Sequence, residues 1–379
     1  MSILPDFKLE TYFSKWEFNT KYNLCASDTE SIDLKYLLSI CSDKEKELWD
    51  QMSFGYTETF GSDILIESIS KTYERGRVAD ILTFAGAEEG IYVSMKSILN
   101  SDDHCIVITP NYQSAQTIPA SLCSVSCIDL DAKNNWSIDL DLLKKSIRPN
   151  TKLISINFPH NPTGKIISQK ELNEIINLSR THGLYLFSDE IYRLMERDDS
   201  LRLTQVSDIY EKGVSLSGMS KSYGMPGVRI GWVSSKDHKL ISKMERQKHY
   251  LSICNSAPSE LLSVMALNSR ELVLERTRGI IKKNLSLLNN FFESYSNLFE
   301  WNEPDGGCIG FPRFRGNENV EDFCKKLIKE KSVLLLPSNI YDSNLSKSPK
   351  NHFRIGYGRL NMPEALLHFK SFINDNYKN

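Results

Sequence analysis

The sequence predicts an α/β protein: a large domain with a mostly parallel sheet sandwiched by helices, plus a smaller α+β domain drawn from both chain ends. Three observations carry this. Short apolar runs alternate with helix-length segments through the middle of the chain, and strands joined by helical crossovers pair in parallel with both faces covered. Polar motifs follow those runs, at the carboxyl ends where such sheets place their ligand sites. The chain has 379 residues, 40% apolar and 25% charged, which is ordinary globular composition with room for two domains.

The elements follow in order. Residues 1–50 supply the N-terminal segment of the small domain, 51–268 the large domain and 269–379 the rest of the small domain. Within the large domain, Cys105–Thr109, Leu153–Phe158, Leu184–Ser188 and Val214–Ser217 read as strands, and the segment holding Cys123 and Cys127 is strand-like. Glu88–Leu99, Gln169–Thr181 and Lys236–Tyr250 read as helices. Further on, residues 269–300 read as a long helix and Val320–Glu330 as a shorter one, with strands at Phe311–Arg313, Val333–Leu336 and Phe353–Gly356.

Composition excludes several function classes. A net charge of -2 gives no basic surface for nucleic acid or an anionic membrane. No apolar run approaches the roughly 18 residues of a membrane span. The opening Met1-Ser-Ile-Leu-Pro-Asp-Phe-Lys8 lacks the pattern of a signal peptide, so the expected location is the cytoplasm. The eight cysteines stand at 25, 41, 105, 123, 127, 254, 308 and 324, with no Cys-x-x-Cys pair; reduced thiols are expected. The seven histidines show no metal-binding spacing, and no metal is expected.

The densest motif is Ser217-Gly-Met-Ser-Lys-Ser-Tyr-Gly-Met-Pro-Gly-Val-Arg-Ile-Gly-Trp232. Lys221 among small residues, with Arg229 following, suits a covalently held phosphorylated aldehyde such as pyridoxal phosphate. The same string also fits a glycine-rich surface loop carrying two cations. Asp189 in Ser188-Asp-Glu-Ile-Tyr192 follows a strand and can hold a pyridine nitrogen protonated, with Tyr192 in reach of the ring hydroxyl; alternatively it caps a helix starting at Glu190. Asn161 in Asn157-Phe-Pro-His-Asn-Pro-Thr-Gly164 has proline-constrained backbone and an amide for the ring oxygen or a substrate carboxylate. In Ala85-Gly-Ala-Glu-Glu-Gly90, Gly86 allows close backbone approach, and the first helical amides can cradle a phosphate. This is not Gly-x-Gly-x-x-Gly, so a dinucleotide reading fails on spacing. Tyr112 can stack on a flat cofactor, and Arg354 offers a fork for an α-carboxylate; both residue types also serve simple packing or surface roles.

Together these strings resemble the fold-type I pyridoxal-phosphate enzymes, specifically the class I/II aminotransferases, over nearly the whole chain and in the family's order. The resemblance implies Lys221 as the Schiff-base lysine and the acid/base at Cα. It implies Asp189 on the pyridine nitrogen, Tyr192 and Asn161 on the ring oxygen, and Tyr112 on the ring face. Gly86, Ala87, Glu88, Ser220 and Arg229 fall on the phosphate, and Arg354 on the substrate carboxylate. Tyr56, in Gly55-Tyr-Thr-Glu58, resembles the tyrosine that reaches a neighbouring subunit's phosphate, implying a homodimer with shared sites. One position departs from the pattern: Gly218 stands where some members place a phosphate-binding serine, leaving Ser217 and Ser220 as alternatives.

The strings Phe7-Lys-Leu-Glu10, Lys15-Trp-Glu-Phe18 and Ser27-Asp-Thr-Glu-Ser31 are similar to a subgroup that includes capreomycidine synthase and enduracididine synthase. That resemblance implies cyclodehydration of a hydroxylated L-arginine after Cα deprotonation. A guanidinium substrate wants a carboxylate partner; Glu10 is the preferred candidate, with Asp28 and Glu30 nearby. The rival readings are an ordinary L-amino acid aminotransferase with a 2-oxo acid acceptor, and a cofactor-binding regulator. The regulator is disfavoured because the fold starts near residue 7, with no DNA-binding domain ahead of it.

Overall fold

The computed structural model describes residues 4–377. Residues 1–3 and 378–379, part of the leader reading and the outer limits of the small-domain segments, lie outside the described residues. A seven-stranded sheet forms the centre: β1 (Ile81–Phe84), β2 (His104–Thr109), β3 (Ser124–Asp129), β4 (Thr151–Asn157), β5 (Tyr185–Asp189), β6 (Gly213–Gly218) and β7 (Gly231–Ser234). Their spatial order is β1-β7-β6-β5-β4-β2-β3. Six strands run parallel, and β7 runs against both of its neighbours, β1 and β6. The inner strands are buried along their length because helices cover both faces, so they read as continuous apolar runs.

The helices follow their sequence signals. Gln169–Thr181 starts at a capping box in which Ser168 and Glu171 exchange hydrogen bonds, and buries Leu172, Ile175, Ile176 and Ser179 at helical spacing. The expected helix at Glu88–Leu99 runs Ala87–Ile98, and that at Lys236–Tyr250 runs His238–Lys248. Two strands of the central sheet went unread in the sequence. β1 and β7 have only four residues each, too short for a periodic signal. The helix expected over 269–300 ends at Ser294, with Phe299–Glu300 forming a short strand instead.

The chain ends meet in a second layer. Arg270–Ser294 forms a 25-residue helix packed on an aromatic cluster that includes Phe291, Phe299, Phe314, Phe323 and Phe369. Tyr22–Asn23 pairs in parallel with Val333–Leu334, joining the first fifty residues to the last fifty. The strand expected at Val333–Leu336 is two strands: Leu336–Pro337 pairs antiparallel with Phe353–Arg354. That expected at Phe311–Arg313 falls between Ile309–Gly310 and Arg313–Phe314, because Pro312 lacks an N–H to continue a ladder. Among the described residues no helix is long and apolar enough to cross a membrane. All eight cysteines are free, and five of them are buried.

Candidate active site

Topology gathers the motifs at one edge of the sheet. Gly86, Tyr112, Asn161 and Lys221 lie just past the carboxyl ends of β1, β2, β4 and β6, and Asp189 is the last residue of β5. Arg229 precedes the start of the reversed strand β7, where Gly231 pairs with both Phe84 and Gly218. Running β7 backwards therefore brings Arg229 to the same edge.

Lys221 is enclosed. Its Nζ donates to Ser27 Oγ at 3.1 Å and lies 5.8 Å from the Tyr192 ring centre. Burial lowers its pKa, while Asp28 and Cys308 oppose that shift. A lysine made neutral more easily is a better nucleophile and base. The N-terminal segment holds the loop itself: Thr29 Oγ1 donates to the Lys221 carbonyl at 2.7 Å, and Ile32 N–H to that of Gly224 at 3.0 Å. Tyr192 Oη donates to the Ser27 carbonyl at 2.9 Å, and Cys308 Sγ to the same oxygen at 3.3 Å.

Asp189 is not a helix cap. Its Oδ1 accepts the Ile191 N–H at 3.0 Å within a turn, and no helix follows. Burial pushes its carboxyl up to about 6, against the pull of that N–H and Lys221. A buried carboxyl of this kind gains from a cationic N–H partner. Asn157 Nδ2 donates to the Asp189 carbonyl at 2.8 Å and its Oδ1 accepts the Asn161 N–H at 2.9 Å, fixing the two strand ends together.

The helix Ala87–Ile98 opens with Gly86 as its N-cap and no side-chain cap, so its first amides remain free for a ligand. Gly86 has φ +95 and ψ 160, backbone that only glycine adopts easily. A Cβ there would lie 2.2 Å from Arg229 Nη2, and one at Gly231 would lie 2.4 Å from the Ala87 nitrogen. Two missing side chains thus let a guanidinium and a helix N-terminus converge, the donor set of a phosphate site. Glu89 braces the turn, accepting the Ala85 N–H at 2.6 Å. Glu88 accepts from Ser114 Oγ at 3.1 Å, and burial pushes its carboxyl up to about 7. Neither Ser217 nor Ser220 makes a side-chain hydrogen bond among the described residues, so the geometry keeps both in play.

Arg354 is completely buried. Its Nε donates to the Cys25 carbonyl at 3.0 Å, and Nη1 to Tyr341 Oη at 3.0 Å and Asn161 Oδ1 at 3.4 Å. Its Nη2 has no hydrogen-bond partner among the described residues. An orphaned buried guanidinium donor is costly unless a ligand completes it. Tyr341 also donates to Asn161 Oδ1 at 3.2 Å, which turns the Asn161 Nδ2 donor elsewhere.

The remaining expected residues lie at the rim. Tyr112 touches Phe7, ring centres 5.2 Å apart, and donates to Glu10 Oε1 at 3.2 Å. Glu10 sits on the helix Lys8–Trp16 and is exposed. Tyr56 is 93% exposed and joins none of the other site residues within one chain. Tyr341 and Cys308 escaped the sequence reading, and Ser27 stood in a quoted string without a role of its own; tertiary pairing brings all three to the motif residues.

The family model for aminotransferase class I and II matches residues 20–367. A capreomycidine synthase of Streptomyces vinaceus is 25% identical over 342 residues, covering 89% of this chain and 87% of its own. An aspartate aminotransferase of Sulfurisphaera tokodaii is 25% identical over 315 residues, covering 80% and 78%. The crystal structure of a PLP-dependent aminotransferase from Streptococcus suis 89-1591 superposes with a TM-score of 0.92 at 28% identity, covering all of both chains. The family match spans most of the chain, which therefore belongs to the class I and II aminotransferases and is a pyridoxal-phosphate-dependent enzyme.

Proposed function

We propose that this enzyme removes the Cα proton of a hydroxylated L-arginine and closes it, with loss of water, to a cyclic guanidino amino acid. The single observation that carries the amino-acid reading is the unpartnered, buried Arg354 Nη2, on a guanidinium that bonds Asn161 and whose charge reaches Lys221. Likeness to capreomycidine synthase supports the ring closure. The balance is a dehydration: a C–O bond breaks, a C–N bond forms, and the hydroxyl leaves with a guanidinium proton as water.

When bound, pyridoxal phosphate withdraws electrons from the Cα of an amino acid joined to it. The chain's residues then have these proposed roles. Lys221 carries the cofactor's carbon and moves the Cα proton. Asp189 stands against the pyridine nitrogen, where a cation would keep its carboxylate charged. Asn161 Nδ2 and Tyr192 Oη serve the ring oxygen, and Tyr112 the ring face. The amides of Gly86, Ala87 and Glu88, a hydroxyl of Ser217 or Ser220, and Arg229 hold the phosphate. Arg354 takes the substrate carboxylate. Tyr56, exposed on its own subunit, completes the phosphate site of a second copy, so the working unit is a homodimer. We place the enzyme in the cytoplasm and divide it into a large domain, 51–268, and a small one from 1–50 and 269–379.

A second reading has its own support. The aspartate aminotransferase relative is as similar as the synthase, and amino transfer to a 2-oxo acid begins with the same proton removal. One experiment separates them. The enzyme is incubated with arginine and its β- and γ-hydroxy forms, with and without a 2-oxo acid, and the products are weighed. Loss of water without the oxo acid supports cyclisation; amino transfer refutes it.

A further inference from the structure

The helix Lys8–Trp16 presents two stripes. Leu9, Tyr12 and Trp16 pack into the core, and Tyr12 Oη donates to the Leu335 carbonyl at 2.9 Å. Glu10, Phe13 and Glu17 form the neighbouring stripe, because positions i, i+3 and i+7 share a helix face. Glu17, the C-cap residue, keeps helical backbone angles and so stays in line. Each member of this stripe meets a different part of the active site. Glu10 accepts from Tyr112, the Phe13 ring centre lies 5.7 Å from the Arg354 guanidinium carbon, and Glu17 follows Phe13 one turn further along the same face, within range of the charges of Asp28, Glu10, Arg359 and Lys221.

The carboxylates here are not equivalent. Asp28 is paired with Arg359 at 2.7 Å, and Glu30 accepts the Leu360 N–H at 2.8 Å. Glu17 is half-buried, and its carboxylate has no hydrogen bond or ion pair among the described residues. Burial and the neighbouring carboxylates of Asp28 and Glu10 push its pKa up, with Arg359 and Lys221 opposing. A half-buried carboxylate in acidic company is stabilised by an incoming cation. At the other end of the stripe's reach, the completely buried Arg354 has an Nη2 that waits for an anion.

We propose that Glu17 is a specificity-determining residue: with Arg354 holding the α-carboxylate, Glu17 receives the cationic end of the substrate side chain. The helix face thus measures an amino acid between an anionic and a cationic end, whether the later step is ring closure or amino transfer. This deepens the amino-acid reading above and rests on it.

The test uses the holoenzyme with L-arginine and L-citrulline, which match in length and differ in the charge of the end group. Binding is followed by the change in cofactor absorbance and by calorimetry. The wild type is expected to bind arginine at least about tenfold tighter than citrulline, as one charge-assisted contact warrants. Glu17→Gln is expected to abolish that preference by weakening arginine alone. Unchanged citrulline binding shows that the variant is folded, and Glu17→Asp should retain part of the preference. An arginine-to-citrulline ratio unchanged in Glu17→Gln, or absent in the wild type, would overturn the role of Glu17 and leave the amino-acid reading standing. Silence toward both compounds would overturn that reading as well.

Discussion

Replacing Gly86 with alanine is expected to weaken cofactor binding through a second residue, Arg229. Two costs follow from the geometry. An alanine held at φ +95 and ψ 160 occupies backbone territory that costs roughly 1–3 kcal/mol. Its Cβ would also stand 2.2 Å from Arg229 Nη2, where contacts under 3.0 Å do not persist. Because Arg229 is exposed, its guanidinium can swing away, so the clash itself is cheap to relieve. Swinging away removes a charged donor from the phosphate, a loss of roughly 1.5–3 kcal/mol, or about 10- to 100-fold in affinity. The assay is titration of cofactor-free protein with pyridoxal phosphate, with a thermal melt of the same samples to read the backbone strain. Arg229→Ala alone should weaken binding to a similar degree. In the double variant the losses should fail to add, since both act through one guanidinium. Additive losses, or unchanged affinity in Gly86→Ala, would refute the reasoning.

Other outcomes are expected. Lys221→Ala should lose the absorbance band of the lysine–cofactor linkage and all exchange of the Cα proton with solvent; retained exchange would give the proton transfer to another base. Arg354→Lys should weaken amino acid binding by about 10- to 100-fold while leaving cofactor affinity within a few-fold, measured by parallel titrations; equal losses would remove the carboxylate from Arg354. Glu190 is buried, accepts from the Val206 N–H and Ser215 Oγ, and has its pKa raised by burial to about 7. A raised carboxyl favours the folded protein fully below about pH 4.5, and that contribution is lost as pH rises through about 7. Wild type should therefore lose roughly 2 kcal/mol relative to Glu190→Gln between pH 5 and 8, and parallel stability profiles would contradict this. Mixing Lys221→Ala with Tyr56→Ala subunits should yield hybrid dimers with one intact site, seen as regained tight cofactor binding; no recovery would place Tyr56 outside its partner's site.

Much of the central sheet and its helices was legible because the inner strands are buried on both faces and Gln169–Thr181 carries a capping box and a clean apolar stripe. Gln169–Thr181 has the limits expected of it. The motif residues could be read because each follows a strand end, and parallel topology puts those ends together. Legibility failed where one residue decides pairing. Pro312 interrupts one ladder, and the chain changes partners between Leu334 and Leu336. The rim of the site was least visible. Glu10 could be suspected from sequence, but Glu17 acquires meaning only once the helix direction shows which face meets Arg354.

The short parallel pairing of Tyr22–Asn23 with Val333–Leu334 has a consequence for synthesis. Ser27, which receives the Lys221 ammonium, lies just beyond the first of these strands and depends on a segment translated more than three hundred residues later. The pairing ties the setting of Ser27, beside Lys221, to a strand that lies more than a hundred residues beyond the lysine in the chain. A chain terminated before residue 333 would keep the cofactor-facing half of the site and lack the half that grips a substrate.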